Sequence, residues 1–228
     1  MYSRAVGSFI VFVALAFGLA SSALSPAARG AQKAAPGGRT YQVDVAASRV
    51  YVKVGSATRI GHRHGVEGRL KSGKIQVGAG GELVFDMRSF KADTPEARKK
   101  VGLGRQKVSE REAKKVSETM LSATVLDVEQ FPTATYKIIA IKPAERQEAG
   151  APGAYQVNGR FTLHGAEQPL RFKAKLEQVG EERVVKLSGS FAIKQTAYGM
   201  KPYSAAGGLA KVADELEIHA ELVLKPAK

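Results

Sequence analysis

The chain has 228 residues with no cysteine and no tryptophan, 44% hydrophobic residues and a formal net charge of +14. The absence of cysteine excludes a disulfide scaffold, a thiol nucleophile and thiolate metal centres. The apolar content is enough for one real core rather than a disordered polymer, and the basic balance favours anionic partners.

Met1 to Arg4 is a short basic start, and Ala5 to Leu24 is almost uninterruptedly apolar. This pattern predicts a secretory signal over residues 1–31, with small-residue cleavage sites among Ser21 to Ala31. The apolar run is also long enough to cross a bilayer, so an uncleaved anchor is the competing reading. Export lowers nucleic acid as a partner and places the mature protein in the periplasm. Residues 32–40, rich in Ala, Gly and Pro, read as a flexible leader. One domain then runs from Tyr41 to Lys228.

From Tyr41 on, hydrophobicity alternates with a period of two, the mark of strands with one buried face. Val50, Val52 and Val54 alternate with Tyr51 and Lys53. Strands follow at Glu67 to Val77, Glu82 to Met87, Ala134 to Ile141, Tyr155 to Leu163, Leu170 to Leu176, Val184 to Ile193 and Leu216 to Leu224. Between Thr94 and Leu121 the pattern turns helical. Asp93-Thr94-Pro95-Glu96 predicts a helical turn, and Ser109-Glu110-Arg111-Glu112 is a capping box opening a helix to about Leu121. About eight one-sided strands in a meander predict an all-β, antiparallel up-and-down barrel of the lipocalin-like kind, with the helix lying across it. A two-sheet sandwich is the alternative.

Several segments in this order resemble the YceI-like family of exported, polyisoprenoid-binding barrels. Tyr41-Gln42-Val43-Asp44 with Ser48 to Val52 is similar to the family's opening strand. Asp93-Thr94 matches its acid-threonine pair, and Phe131-Pro132-Thr133 its aromatic-proline turn. Leu163-His164-Gly165 with Pro169 resembles its Leu-Thr-x-His-Gly hairpin, and Tyr198-Gly199-Met200 with Val212 to Leu216 its closing loop and last strand. Two departures stand out: the loop after the acid-threonine pair is longer and basic here, from Pro95 to Lys115, and the usual His before the opening serine is Ala47. The resemblance implies an isoprenoid or quinone-like lipid as the bound molecule and no enzymatic cofactor.

The inward positions expected to meet an apolar ligand are Val50, Val52, Val54, Leu83, Phe85, Tyr136, Ile138, Tyr155, Val157, Phe161, Phe172, Leu176, Leu187, Phe191, Leu222 and Leu224. Such a barrel is either filled by its own side chains or holds one small ligand. Small residues along the strands (Gly159, Ala174, Gly189, Ala192, Ala220) favour spare volume. Arg98, Lys99, Lys100, Lys114 and Lys115 are candidates for contact with an anionic headgroup or membrane surface; a solvated helix face is the plain alternative.

His62 and His64 are spaced to share a face and offer half of a metal site, but without further ligands they read as solvated or hydrogen-bonded. His164 reads as a turn residue and His219 as part of a polar face. Nucleophile elbows, Walker loops and dinucleotide motifs are absent from the sequence. The preferred function is carriage or sequestration of an apolar isoprenoid or fatty chain, without catalysis. The alternatives are an envelope interaction module with a filled barrel and a basic helix, and a metal-binding protein or hydrolase centred on His62 and His64.

Overall fold

The computed structural model describes residues 38–59, 61–104, 108–144, 153–179 and 184–227. The apolar segment 1–31 and the first part of the leader lie outside the described residues. Gly38 already belongs to the fold, its N–H donating to the Val77 carbonyl at 3.1 Å, and Thr40, placed in the leader by composition, is the first residue of a strand.

Ten strands run in chain order: β1 Thr40–Val43, β2 Arg49–Ser56, β3 His64–Gln76, β4 Gly80–Ala92, β5 Thr133–Pro143, β6 Ala154–Leu163, β7 Ala166–Val179, β8 Val184–Lys194, β9 Ser204–Ala205 and β10 Ala210–Pro226. From β2 to β8 each strand pairs antiparallel with the next. β10 then pairs with both β8 and β2, which closes an eight-stranded barrel. Closure leaves no edge in the barrel wall, so the backbone groups are satisfied within it.

The expected barrel is therefore present, with two strands that periodicity did not reveal. β1 lies between β10 and β3, where β2 no longer reaches. β1 and β2 thus act as one strand interrupted at Asp44 to Ser48. Fully buried Ser48 bridges the break: its hydroxyl accepts from the Val223 N–H at 3.0 Å, while Asp44 pairs with Lys225 at 2.8 Å. β9 is a two-residue strand folded back on the start of β10. The hairpin between β6 and β7 is turned by His164 and Gly165, both at positive φ (50° and 77°), the geometry a two-residue hairpin needs.

Both expected helices form. α1, Pro95–Lys100, is capped by the Thr94 hydroxyl, and α2, Glu110–Leu121, by a reciprocal Ser109–Glu112 capping box. α1 packs outside the barrel, on β2 and β3. Its backbone comes so close to Gly65 that a Cβ there would lie 2.9 Å from the Arg98 Cα. Ala97 of α1 and Val101, its C-cap, cover Tyr51, which alternation points outward and this segment then buries. α2 lies across one end, with Val116, Met120 and Leu121 against the core and the Ser117 hydroxyl accepting from the Ala92 N–H at 2.9 Å.

Candidate ligand-binding site

The barrel interior is unequal along its axis. At the end where β1 enters, Tyr41, Ile75, Ile141, Val157, Val185 and Leu224 are almost wholly buried and plug the barrel. Toward the α2 end the packing opens into a cavity of about 110 Å³ with apolar walls. Val50, Val52, Leu83, Phe85, Tyr136, Phe161, Phe172, Leu187, Phe191 and Leu222, all expected to face inward, line it. Val54 lies higher, in the mouth. Ile138, Tyr155, Val157, Leu176 and Leu224 point inward as expected, but they belong to the packed core rather than to the cavity wall.

Alternation within the expected strands missed other wall residues. Val66 lies in β3 outside the apolar positions singled out, and Phe90 in the part of β4 beyond Met87. Met120 comes from α2 and Leu126 from the turn that follows it; only the fold brings these to the cavity. For Met120, the helical spacing of Val116 and Met120 was the available signal.

Two of the aromatic wall residues, Phe85 and Phe191, are only half buried and edge the open space. Phe172 stacks on Phe191 (centroids 4.8 Å) and tilts against Tyr136 (5.8 Å), while Phe161 meets Phe85 edge-on at 6.0 Å. The Tyr136 hydroxyl donates to the Leu170 carbonyl at 3.1 Å, and burial pushes its phenol far above the usual value. It stays neutral and turns its ring, not its oxygen, to the cavity wall.

The small residues expected to leave room do so only in part. A Cβ on Gly159 would fall 2.7 Å from the Tyr136 ring, and one on Gly189 would fall 3.0 Å from the Phe172 ring. Cross-strand aromatics thus occupy that space. Ala192 faces outward and Ala174 is packed in the core, so Ala220 alone among the five lines the cavity.

Above the cavity is the mouth, a space of about 210 Å³ between α2 and the start of β10, lined by Val54, His64, Lys115, Val116, Tyr203 and Leu216 among others. Val66 and Met120 line both spaces, so the two meet there. Lys115 stands at this rim. Lys99 and Lys114 are exposed, Lys114 only 3.9 Å from Glu118 in an open helical pair.

Two of the five candidate headgroup cations are engaged elsewhere. The Lys100 ammonium sits 2.8 Å from both Glu221 carboxylate oxygens and 5.7 Å from the centre of the Tyr51 ring, pinning α1 to the barrel. Arg98 is a correction to the expected surface cation: its side chain is 7% exposed, and Nη1 donates to Asp93 at 2.8 Å and to the Arg63 carbonyl at 3.3 Å. Gly65 leaves the room that lets α1 approach closely enough for this pair.

Asp93 is the hub of that corner. It holds a positive φ of 55° with a fully buried carboxylate, which also accepts from His64 Nδ1 at 2.6 Å and from the Gly65 N–H at 3.2 Å. His64 is thereby a hydrogen-bonded residue, whereas His62 lies outside the strands and is exposed. Among the described residues no three His, Asp or Glu side chains gather as a metal site. His164 is in its turn, its ring 4.4 Å from Phe131, and His219 lies 3.0 Å from Glu217 on the outer face.

A YceI-like domain profile matches residues 41–224. The chain belongs to the YceI-like domain family. Among solved structures it is similar to BcnA of Burkholderia cenocepacia, at 20% identity with a TM-score of 0.51, over 79% of this chain and 98% of that one. It is also similar to a polyisoprenoid binding domain of Saccharophagus degradans implicated in plant cell wall breakdown, at 13% identity and TM-score 0.57, over 82% and 98%. These likenesses support the YceI-like barrel fold. No curated protein matches the chain in sequence.

Burial opposes the charged form of Asp93, but the hydrogen bonds from His64 and Arg98 outweigh it and hold the carboxyl below its ordinary value of 3.8. A depressed folded-state pKa contributes stability that is complete above the ordinary value and is lost as pH falls through the lower one. Replacing Asp93 with Asn leaves the Arg98 charge buried without its partner, a loss of about 3–5 kcal/mol at neutral pH. Urea denaturation from pH 7 to pH 3 should show this loss and a shallower acid decline than in the parent protein. Parallel acid limbs in the two proteins would contradict the assignment.

Proposed function

We propose that this protein is an exported carrier that takes an apolar chain of the isoprenoid or fatty type into the barrel through the mouth under α2. The observation that carries this reading is a wholly apolar cavity that meets the mouth at Val66 and Met120 while the opposite end is plugged. The Saccharophagus domain of the same fold is described as polyisoprenoid binding, which supports an apolar chain here. Removing such a chain from water stabilises the complex by about 25 cal/mol for each Å² of apolar surface covered, without any chemical step.

Volume constrains the ligand. An engineered cavity of about 150 Å³ holds one benzene, so the 110 Å³ cavity holds about one five-carbon unit in its resting form. A longer chain must occupy the mouth as well and displace the half-buried rings of Phe85 and Phe191. Preparations purified without detergent should release an apolar lipid into organic solvent, detected by mass spectrometry. Ala220→Phe adds a ring to the cavity wall. It should abolish the co-purifying lipid while changing the denaturation midpoint little, because the ring enters empty space. A barrel already filled would instead lose about 1–3 kcal/mol to overpacking, and finding no lipid in the parent protein would refute the carrier reading.

The basic start and apolar run of Met1 to Leu24 support export, and the exposed Lys99, Lys114 and Lys115 near the mouth end support loading from an anionic bilayer. Mature protein from the periplasm should begin between Ser22 and Lys33. It should take up lipid from phosphatidylglycerol vesicles faster than from phosphatidylcholine vesicles, and more slowly in high salt or after reversal of the three lysines to Glu. Equal rates from both vesicle types would remove the membrane from the account.

A further inference from the structure

Beside the apolar mouth is a second space of different character, about 470 Å³, lined by His62, Arg63, His64, Asp93, Arg98 and Glu112 with Leu103, Val108 and Val116. His64 and Val116 line both this chamber and the mouth, so the two adjoin. Its acids are already satisfied. Asp93 accepts from His64, Arg98 and the Gly65 N–H, and Glu112 accepts from the Ser109 N–H at 3.1 Å and hydroxyl at 2.7 Å.

The hydrogen-bonding capacity left over belongs to donors. Arg98 Nε is buried and has no hydrogen-bond partner among the described residues, on a side chain that is more than nine-tenths buried. Arg63, whose guanidinium makes no ion pair among the described residues, and the exposed His62 ring stand on the same wall. A buried donor without an acceptor is costly and uncommon in a finished core, and it is explained when a ligand supplies the acceptor. The left-handed backbone of Asp93, tolerated in the centre of this cluster, is the kind of strain that collects at ligand sites.

We infer that this chamber receives the anionic head, a carboxylate or a phosphate, of an amphiphile whose chain enters the barrel through the mouth. The inference rests on the proposed carrier function and adds a requirement on the ligand's other end. Arg98 Nε donates to a head oxygen, Arg63 adds charge from the open side, and His64, fixed by Asp93, marks the boundary at which chain gives way to head. Charge-assisted donors of this kind favour an anionic oxygen over a neutral hydroxyl.

Calorimetric titration of the delipidated mature protein with farnesol, farnesoic acid and farnesyl phosphate at pH 7 separates the possibilities. At least one of the two anions should bind about tenfold more tightly than farnesol. Preference for the phosphate assigns a phosphate head, and preference for the acid a carboxylate. Arg98→Lys keeps a charge for Asp93 but lacks Nε, and Val108→Trp narrows the chamber without touching the ion pair. In each variant that retains a cooperative melt, the anion-to-farnesol ratio should fall to within about twofold. The head assignment is overturned alone if farnesol binds the parent protein as tightly as both anions, or if a folded variant keeps the full preference. If none of the three compounds binds, the carrier function falls and the head site with it.

Discussion

β10 pairs with β8 continuously from Glu215↔Lys194 to Leu224↔Val185, and its other edge takes β2 and then β1. Without this strand the meander is an open sheet with two raw edges and a wet apolar face. With it, the alternating side chains of Leu216, Ile218, Ala220, Leu222 and Leu224 converge on the same interior as those of β2 to β8. The register decides everything downstream, since a slip of one residue would turn Glu217, His219 and Glu221 inward. Closure joins segments more than 150 residues apart, as the Lys53–Glu217 ion pair shows with a sequence separation of 164. Such long-range pairing carries a large loop-closure entropy and is intrinsically slow to form.

Closure creates an interior but does not determine how much of it is filled. Here the plugged end is made by β1, whose Tyr41 and Val43 join Ile75 and Leu224, while Gly68, Gly159 and Gly189 are covered by rings from neighbouring strands. What remains empty lies where the wall is made of Phe85, Phe191, Ala220 and the helix residue Met120. α2 has no fully buried residue and, among the described residues, rests on a thin apolar seam and one side-chain hydrogen bond to the barrel, so it is a weakly held cover over that space.

Much of the fold was legible because period-two alternation and helix caps are local signals. All eight barrel strands that alternation located end up longer than the alternating run alone, because strand ends carry polar residues such as Arg88 and Gln178. Periodicity showed neither β1 nor β9, because both are too short to alternate; only the resemblance of Tyr41 to Asp44 to an opening strand pointed to β1. At the site, the cavity wall contributed by β2, β5 and β6 followed from inward parity. Met120, Leu126 and Phe90 did not, because helix placement and the far end of β4 decide them. The basic stretch from Pro95 to Lys115 read as a run of equivalent cations. The fold divides it into a buried Arg98 serving Asp93, a Lys100 tied to Glu221, and exposed lysines at 99, 114 and 115. Charge counts carry no information about which cation has a buried partner, whereas Gly65, small enough to admit α1, was the residue on which that division turned.

The account stands on an apolar chain lying in the α2 half of the barrel, and the chain's lack of tryptophan makes this directly measurable. Phe191→Trp places a single indole, the only one in the protein, on the half-buried wall of the cavity. Titrating the delipidated variant with geranylgeraniol should shift its emission to the blue, as the chain replaces water beside the ring, and should saturate at one equivalent per barrel. An emission maximum that stays unchanged through many equivalents would contradict the account and leave a barrel that holds only its own side chains.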